Sequence, residues 1–399
     1  MATITNRGQK KNGSWSFLIR IDRGYDSKGN RLKRESHTWN SKPGIKESTA
    51  RKEAEKFAYE LEEQFKRGLI ISDKRTFSEY IDYVLDKKLE SGMIKKSTYS
   101  NSLWLAKKVK AEIGDIRVID LKPVDISNML SSIRSQGNSK YKDKPISEKT
   151  IREYYLLVSS ILDYAFREGV VSENVALRVP RPRAKRKEVS YYEENEIKAI
   201  LEAVKDEPIK TRLFINLLCY TGARRGELLG LEWKNLDETT QTIRVEKNIQ
   251  YTSKMGVYVD EPKTEKSKRT LILTPSIMEL LNEYRQWQLE FQKLKYGEYF
   301  NDEGYIFTQD NGKPIHPDNI DRLFNPIEKK HPELPHIKCH KFRHSIATWL
   351  ISEGNDIASV SAMLGHSNPN TTLGTYTHAT ERGREAIAKS LSTLEERIS

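Results

Sequence analysis

The sequence predicts a multidomain chain with three parts. These are a small basic α+β N-terminal domain, an all-α four-helix domain, and a mainly α C-terminal domain carrying a small antiparallel β-sheet. Three observations predict it. Apolar residues alternate at period two near the N-terminus, then recur at three- and four-residue steps from about residue 75. A run rich in proline and arginine, 178–188, interrupts the pattern. Beyond it, short strand-like segments are set among helical ones. With 399 residues the chain has length for two to four domains.

The first part spans residues 1–68. In "GSWSFLIRIDRGYDSKGNRLKRESHTW", Trp15, Phe17, Ile19 and Ile21 fall on one face of a strand, and Ser16, Leu18, Arg20 and Asp22 on the other. "SKGN" reads as a turn, and a second strand is expected from about Arg31 to Trp39. A helix follows, with Ser48 or Thr49 as N-cap, Ala54, Phe57, Ala58, Leu61 and Phe65 on its apolar stripe, and Gly68 as its stop. A sheet studded with Arg and Lys can lie in a DNA groove; the plainer reading is an accessory domain without a ligand.

Residues 75–177 carry four segments with helical stripes: "TFSEYIDYVLDKKLESG", "KKSTYSNSLWLAKKVKAEIG", "KPVDISNMLSSIRSQG" and "ISEKTIREYYLLVSSILDYAFREG", each stopped by glycine. The linker "RVPRPRAKRKE" holds six basic residues and no acidic one among the ten from Arg178 to Lys187. Such a run either lies across a phosphate backbone or is a solvated tether. In the last part, 189–399, "ENEIKAILEAVKDE" and "IKTRLFINLLCYTG" are expected as helices. "TIRVEKNIQY", "GVYVDEP" and "RTLILTP" are expected as three strands of one sheet. Further helices are expected at about 276–296, 317–330, 340–353, 356–364 and 381–396.

Composition narrows the function classes. Hydrophobic residues make up 37% and mean hydropathy is −0.70, with no apolar run of membrane-spanning length, so no membrane partner is expected. "MATITNRGQKK" has no apolar segment behind its basic residues, and the only cysteines are Cys219 and Cys339, so a reducing cytoplasmic location is expected. The net charge of +12 favours a polyanionic partner, with nucleic acid first. Residues 1–34 hold nine Lys or Arg against two Asp, more than half of that excess.

Four stretches of the last part belong together. "YTGARRGELLGLEW" puts Arg224, Arg225 and Glu227 at a helix start. "DEPKTEKSKRTLIL" puts Lys263 at a turn between strands. "HKFRHSIATWL" sets His340 and Arg343 three apart on one helix face. "LGHSNPNTTLGTYTH" supplies His366 and, ten residues on, Tyr376. At these residues the chain resembles the tyrosine site-specific recombinases, the integrase family, most of all integrases of conjugative transposons and phages of Gram-positive bacteria. The order is theirs: Arg in TGxRxGE, Lys in a turn as KT, HxxR, LGH, then Tyr in YTH. The resemblance covers the whole catalytic domain. More loosely, the four helices resemble the family's core-binding domain and the basic sheet its arm-binding domains.

The resemblance implies the tyrosine recombinase catalytic fold and a site of Arg224, Lys263, His340, Arg343, His366 and Tyr376. The chemistry asks for these residue types. A tyrosine hydroxyl, with a pKa of about 10, needs activation to act as a nucleophile. A phosphodiester gains negative charge as its phosphorane forms, and two planar guanidiniums, assigned to Arg224 and Arg343, match that charge. Arg225, one residue along, is the competing candidate for the first arginine. Family analogy gives Lys263 the task of protonating the leaving 5′-hydroxyl, with Lys266 and Lys268 close by. His340 is expected as a phosphate ligand and acid/base aid to Tyr376, His366 as a donor to a phosphate oxygen. Glu227 either orients an arginine or is an ordinary first-turn carboxylate. The product would be a 3′-phosphotyrosine, with no ATP, metal or other cofactor needed.

Rival chemistries are weaker. His331, His336, Cys339, His340 and His344 lie close in sequence, but no HExxH occurs and "PELP" breaks the upstream helix. No GxSxG elbow supports a serine hydrolase. The reading is a DNA integrase and excision-type recombinase of a mobile element, acting on double-stranded DNA at core and arm sites. Arg20, Arg31, Lys33, Arg34, Arg181, Arg183, Lys185 and Arg186 are expected to face that DNA. A homo-tetramer is expected, its tail helix (Ala386, Ile387, Leu391, Leu394) docked on a neighbour. An excision factor and a host DNA-bending protein are further expected partners. The alternatives are a type IB topoisomerase-like nicking and closing enzyme, and a DNA-binding regulator without the reaction.

Overall fold

In a computed structural model of the chain, the described residues are 2–22, 34–66, 73–137, 145–184, 190–260, 269–297 and 303–365. They fall into two compact units, Met1–Lys185 and Arg186–Ser399. No described helix is long and apolar enough to cross a membrane.

The alternation around Trp15 makes a strand because Phe17, Ile19 and Ile21 on one of its faces are covered. Strands β1 (Thr3–Gln9), β2 (Trp15–Ile21) and β3 (Glu35–Asn40) form an antiparallel sheet in that order. Phe17, Ile19 and Ile21 are buried beneath helix α1 (Glu47–Lys66), against Ala50, Ala54, Ala58 and Leu61. Two expectations are corrected. β1 is a strand beyond those the sequence suggests, because TITNRGQ is largely polar and exposed and shows little apolar alternation. α1 begins at Glu47, so Ser48 and Thr49 lie in its first turn and do not cap it. Arg31, Lys33 and the stop at Gly68 lie outside the described residues.

The four helical segments appear as α2 (Phe77–Glu90), α3 (Lys96–Ile113), α4 (Pro123–Ser135) and α5 (Glu148–Arg167). Thr76 and Glu79 form a reciprocal capping box at the start of α2, and Ser147 caps α5. Their stripes meet in one core that includes Tyr80, Ile81, Val84, Val109, Ile126, Ile133, Val158 and Ile161. At one end of that core, the Tyr80 and Tyr83 hydroxyls both donate to the carboxylate of Glu168, at 2.7 Å each.

The second unit is built on α7 (Ile209–Thr221), whose Leu213, Phe214, Ile215, Leu217 and Leu218 are all fully buried. Around it lie α6 (Glu194–Val204), α8 (Arg225–Leu229) and α9 (Pro275–Trp287). After a six-residue π-helical stretch comes α10 (Leu294–Tyr296), then α11 (Asp321–Lys330), α12 (Cys339–Ser352) and α13 (Ile357–Leu364). The expected single three-stranded sheet is corrected. β4 (Leu236–Asp237), β5 (Thr242–Val245) and β8 (Arg269–Ile272) form one antiparallel sheet, in the order β4-β5-β8. β6 (Asn248–Thr252) and β7 (Gly256–Asp260) form a separate hairpin. "TIRVEKNIQY" is thus two strands split at Glu246 and Lys247. Lys263, His366, Tyr376 and the tail helix expected at 381–396 lie outside the described residues.

Candidate active site

Three of the six expected site residues are described, and two of them, Arg224 and Arg343, meet at one turn. α7 ends in Gly222, which adopts φ 59°, and a Cβ there would sit 2.7 Å from Leu364 Cδ2. Only glycine allows both the left-handed cap and the close approach of the chain end of α13. Arg224 then stands at the N-cap of α8. Its backbone N–H donates to Glu227 Oε2 at 2.8 Å and its Nη1 to Glu227 Oε1 at 2.7 Å. Its Nη2 donates to the carbonyl of Gly365 at 2.9 Å.

Arg343 comes from the first turns of α12 and is 4% exposed. Its Nη2 donates to the carbonyl of Leu364 at 2.6 Å and its Nη1 to that of Gly222 at 2.9 Å. Two guanidiniums from distant parts of the chain therefore hold two successive carbonyls, Leu364 and Gly365, immediately before His366. Arg225, the competing candidate, makes neither of these carbonyl contacts among the hydrogen bonds of the described residues, and its Nη2 lies 3.6 Å from Asp318.

His340, one helical turn before Arg343, completes the cluster. Burial, then the cations of Arg343, Arg224 and Arg225, hold its imidazole below the ordinary histidine range. A neutral ring can accept a proton, which a protonated one cannot. The start of α12 is pinned by a residue that sequence reasoning missed. The Tyr192 hydroxyl donates to the His336 carbonyl at 2.7 Å and accepts from the Lys338 N–H at 2.8 Å. Its ring packs on Phe342.

Glu227 is buried and does orient an arginine, but it serves two. Arg269, also missed, grips the same carboxylate from strand β8, Nη1 to Oε1 at 2.9 Å and Nη2 to Oε2 at 2.7 Å. A signal for Arg269 was present: it shares a strand face with Leu271 and Leu273, both buried, while Ile272 is 70% exposed.

Of the rival histidines, His331 pairs with Glu333 and His336 with Glu328. Among the described residues no group of three or more His, Cys, Asp or Glu is placed to hold a metal. Of the basic residues expected to face DNA, Arg20 is exposed on β2 and Arg181 and Arg183 are exposed beyond the four helices. Arg34 is half exposed, 3.7 Å from Asp22. Lys185 and Arg186 lie outside the described residues.

A mainly helical domain with small antiparallel sheets brings two arginines to one turn, and comparison with known proteins gives the class. Residues 190–382 match the phage integrase family. The chain is 31% identical over 305 residues to a tyrosine recombinase XerC-like protein of Caldanaerobacter subterraneus, covering 71% of this chain and 74% of that protein. It is 28% identical over 250 residues to the ICEBs1 integrase of Bacillus subtilis, covering 62% of this chain and 67% of that one. Its fold is similar to that of the Tn1549 transposon integrase solved in complex with a circular intermediate DNA. The TM-score is 0.62 at 20% identity, covering 80% of this chain and 100% of that one. A lambda integrase dimer bound to a core site gives a TM-score of 0.55 at 19% identity, covering 77% and 97%. The chain belongs to the phage integrase family of tyrosine recombinases. It is an enzyme of site-specific DNA recombination.

Proposed function

We propose that the chain integrates and excises a mobile element, cutting and rejoining double-stranded DNA at the element's ends through Tyr376. The observation that carries this is the convergence of Arg224 and Arg343 on the Leu364–Gly365 turn, from which the chain continues to His366 and Tyr376, with His340 one helical turn before Arg343. Guanidinium nitrogens that hold carbonyl oxygens are placed to exchange them for the non-bridging oxygens of a scissile phosphate.

In the proposed step the Tyr376 hydroxyl gives up its proton, with His340 as acceptor, and its oxygen bonds to phosphorus. The P–O5′ bond breaks, and O5′ takes a proton from Lys263. Arg224, Arg343 and His366 stabilise the added charge. The ester bond is conserved as a 3′-phosphotyrosine, so a second strand's 5′-hydroxyl can attack it and rejoin the DNA. The relatives solved on DNA support a duplex as substrate.

The finer reading has three DNA-binding parts. Residues 1–68 bind arm sites, residues 75–177 bind core sites, and the linker 178–188 crosses the backbone. The exposure of Arg20, Arg181 and Arg183 is compatible with this. A tetramer would form with the tail helix seated on a neighbour. An apolar groove of 560 Å³ lined by Ile197, Leu201, Tyr220 and Trp349 has the character to receive such a stripe.

Strand-joining assays test the function. Tyr376→Phe is expected to bind the element's end normally and to join nothing, and Arg343→Ala to lose rate on the order of 100- to 1000-fold with binding kept. Full joining by Tyr376→Phe would overturn the reading.

A further inference from the structure

We propose that Arg269 is a positioning residue for the phosphate clamp: it takes up the charge of Glu227 so that Arg224 keeps its own for the scissile phosphate. The inference rests on the role of Arg224 proposed above.

The side chain of Arg269 is 8% exposed, and it binds both oxygens of Glu227. Glu227 also holds the backbone N–H and Nη1 of Arg224. One buried carboxylate thus lies between two guanidiniums, and the trio is net +1. With Arg224 alone, the pair would be net neutral and its pull on a phosphate weaker. The bidentate grip also fixes the carboxylate, so the fork of Arg224 is aimed by a group that cannot swing.

Two further facts favour a role in the site over a role in folding alone. The Nε of Arg269 is buried without a hydrogen-bond partner among the described residues. A buried cation left partly unsatisfied is a weak device for stability. In addition, Gly365 has φ 67°, and a Cβ there would collide with the Arg269 guanidinium. Arg269 thus lies directly against the turn whose carbonyls receive Arg224 and Arg343.

The test uses the full chain and a nicked suicide duplex carrying the element's end. It compares single-turnover cleavage, duplex binding and thermal unfolding for Arg224→Met, Arg269→Met, Arg269→Lys and the double variant Arg269→Met with Glu227→Gln. Arg269→Met is expected to bind the duplex but cleave roughly 10- to 100-fold more slowly. Arg269→Lys restores part of the rate, since it keeps the charge without the fork. The double variant cleaves faster than Arg269→Met, because the unbalanced carboxylate is gone while the amide oxygen that replaces it still accepts from Arg224. If Arg269→Met is too unstable to assay, Arg269→Lys against wild type and the double variant decide in the same way. Equal slowness of the double variant and Arg269→Met would overturn the inference in favour of a purely structural arginine. Wild-type cleavage by Arg269→Met, with Arg224→Met slow, would overturn it alone. Wild-type cleavage by Arg224→Met would instead remove the clamp reading beneath it.

Discussion

Glu227 is buried, and burial alone would raise its pKa; the charges of Arg269 and then Arg224 outweigh this and hold it below the ordinary value of 4.5. The unfolded chain therefore takes up this proton first as pH falls. The stability contributed by Glu227 is complete above about pH 4.5 and is lost as pH drops through the lower native value. Glu227→Gln is expected to remove that part of the acid limb. It should also destabilise the protein at pH 7 by about 3–5 kcal/mol, because Arg269 is left buried and unbalanced, as urea unfolding would show. His340 and His344 are likewise held below 6.5, the first by burial and the Arg343, Arg224 and Arg225 cations, the second by burial, His340 and Arg343. Each is neutral at pH 7, and each makes the fold less stable as pH falls below 6.5, where the unfolded chain protonates first. The acid limb of cleavage is expected to lie below 6.5. His340→Gln should abolish that limb and slow cleavage by roughly 100- to 10,000-fold. At this scale Arg224, Arg343 and His340 were legible because each sits in a short motif whose spacing is local. Tyr192 was not, and the strand face that buries Arg269 does not name its partner, because Glu227, His336 and Lys338 lie 42 or more residues from the side chains they meet.

Among the elements, the helices were the clearer reading. The stripe of α5 and the capping box of α2 write the helix period and its start into contiguous residues. The strands were harder. β1 has almost no apolar face to read, and β5 and β6 run on in sequence while pairing with different partners, β5 with β8 and β6 with β7. Pairing is a long-range choice that alternation does not encode. The turn after α7 gives a sharp test of how an element positions the site. Gly222→Ala is expected to destabilise the protein by about 1–2 kcal/mol from its left-handed φ, with an added clash against Leu364. It should lower Tm by several degrees and slow cleavage beyond what the stability loss explains. Phe214, fully buried on α7 with its ring edge-on to Phe307 at 5.1 Å, is expected to destabilise by about 3–5 kcal/mol on truncation to Ala without a selective effect on chemistry.

For the whole molecule, the excess of +12 was visible from composition, and so was its concentration in residues 1–34 and in the linker. What each basic side chain touches was not visible, because phosphate-facing and base-facing arginines look alike in one dimension. If the linker crosses the backbone, Arg181→Gln with Arg183→Gln should flatten the slope of log affinity against log salt by about 2, and unchanged salt dependence would leave it a tether. The covalent step is open to direct trapping: the full chain is incubated, in chelator, with a nicked suicide duplex from the element's end, and any adduct that survives SDS is mapped. A DNA 3′-phosphate on Tyr376 is the expected result. An adduct on another residue, or a free cut product that disappears with chelator, would contradict it.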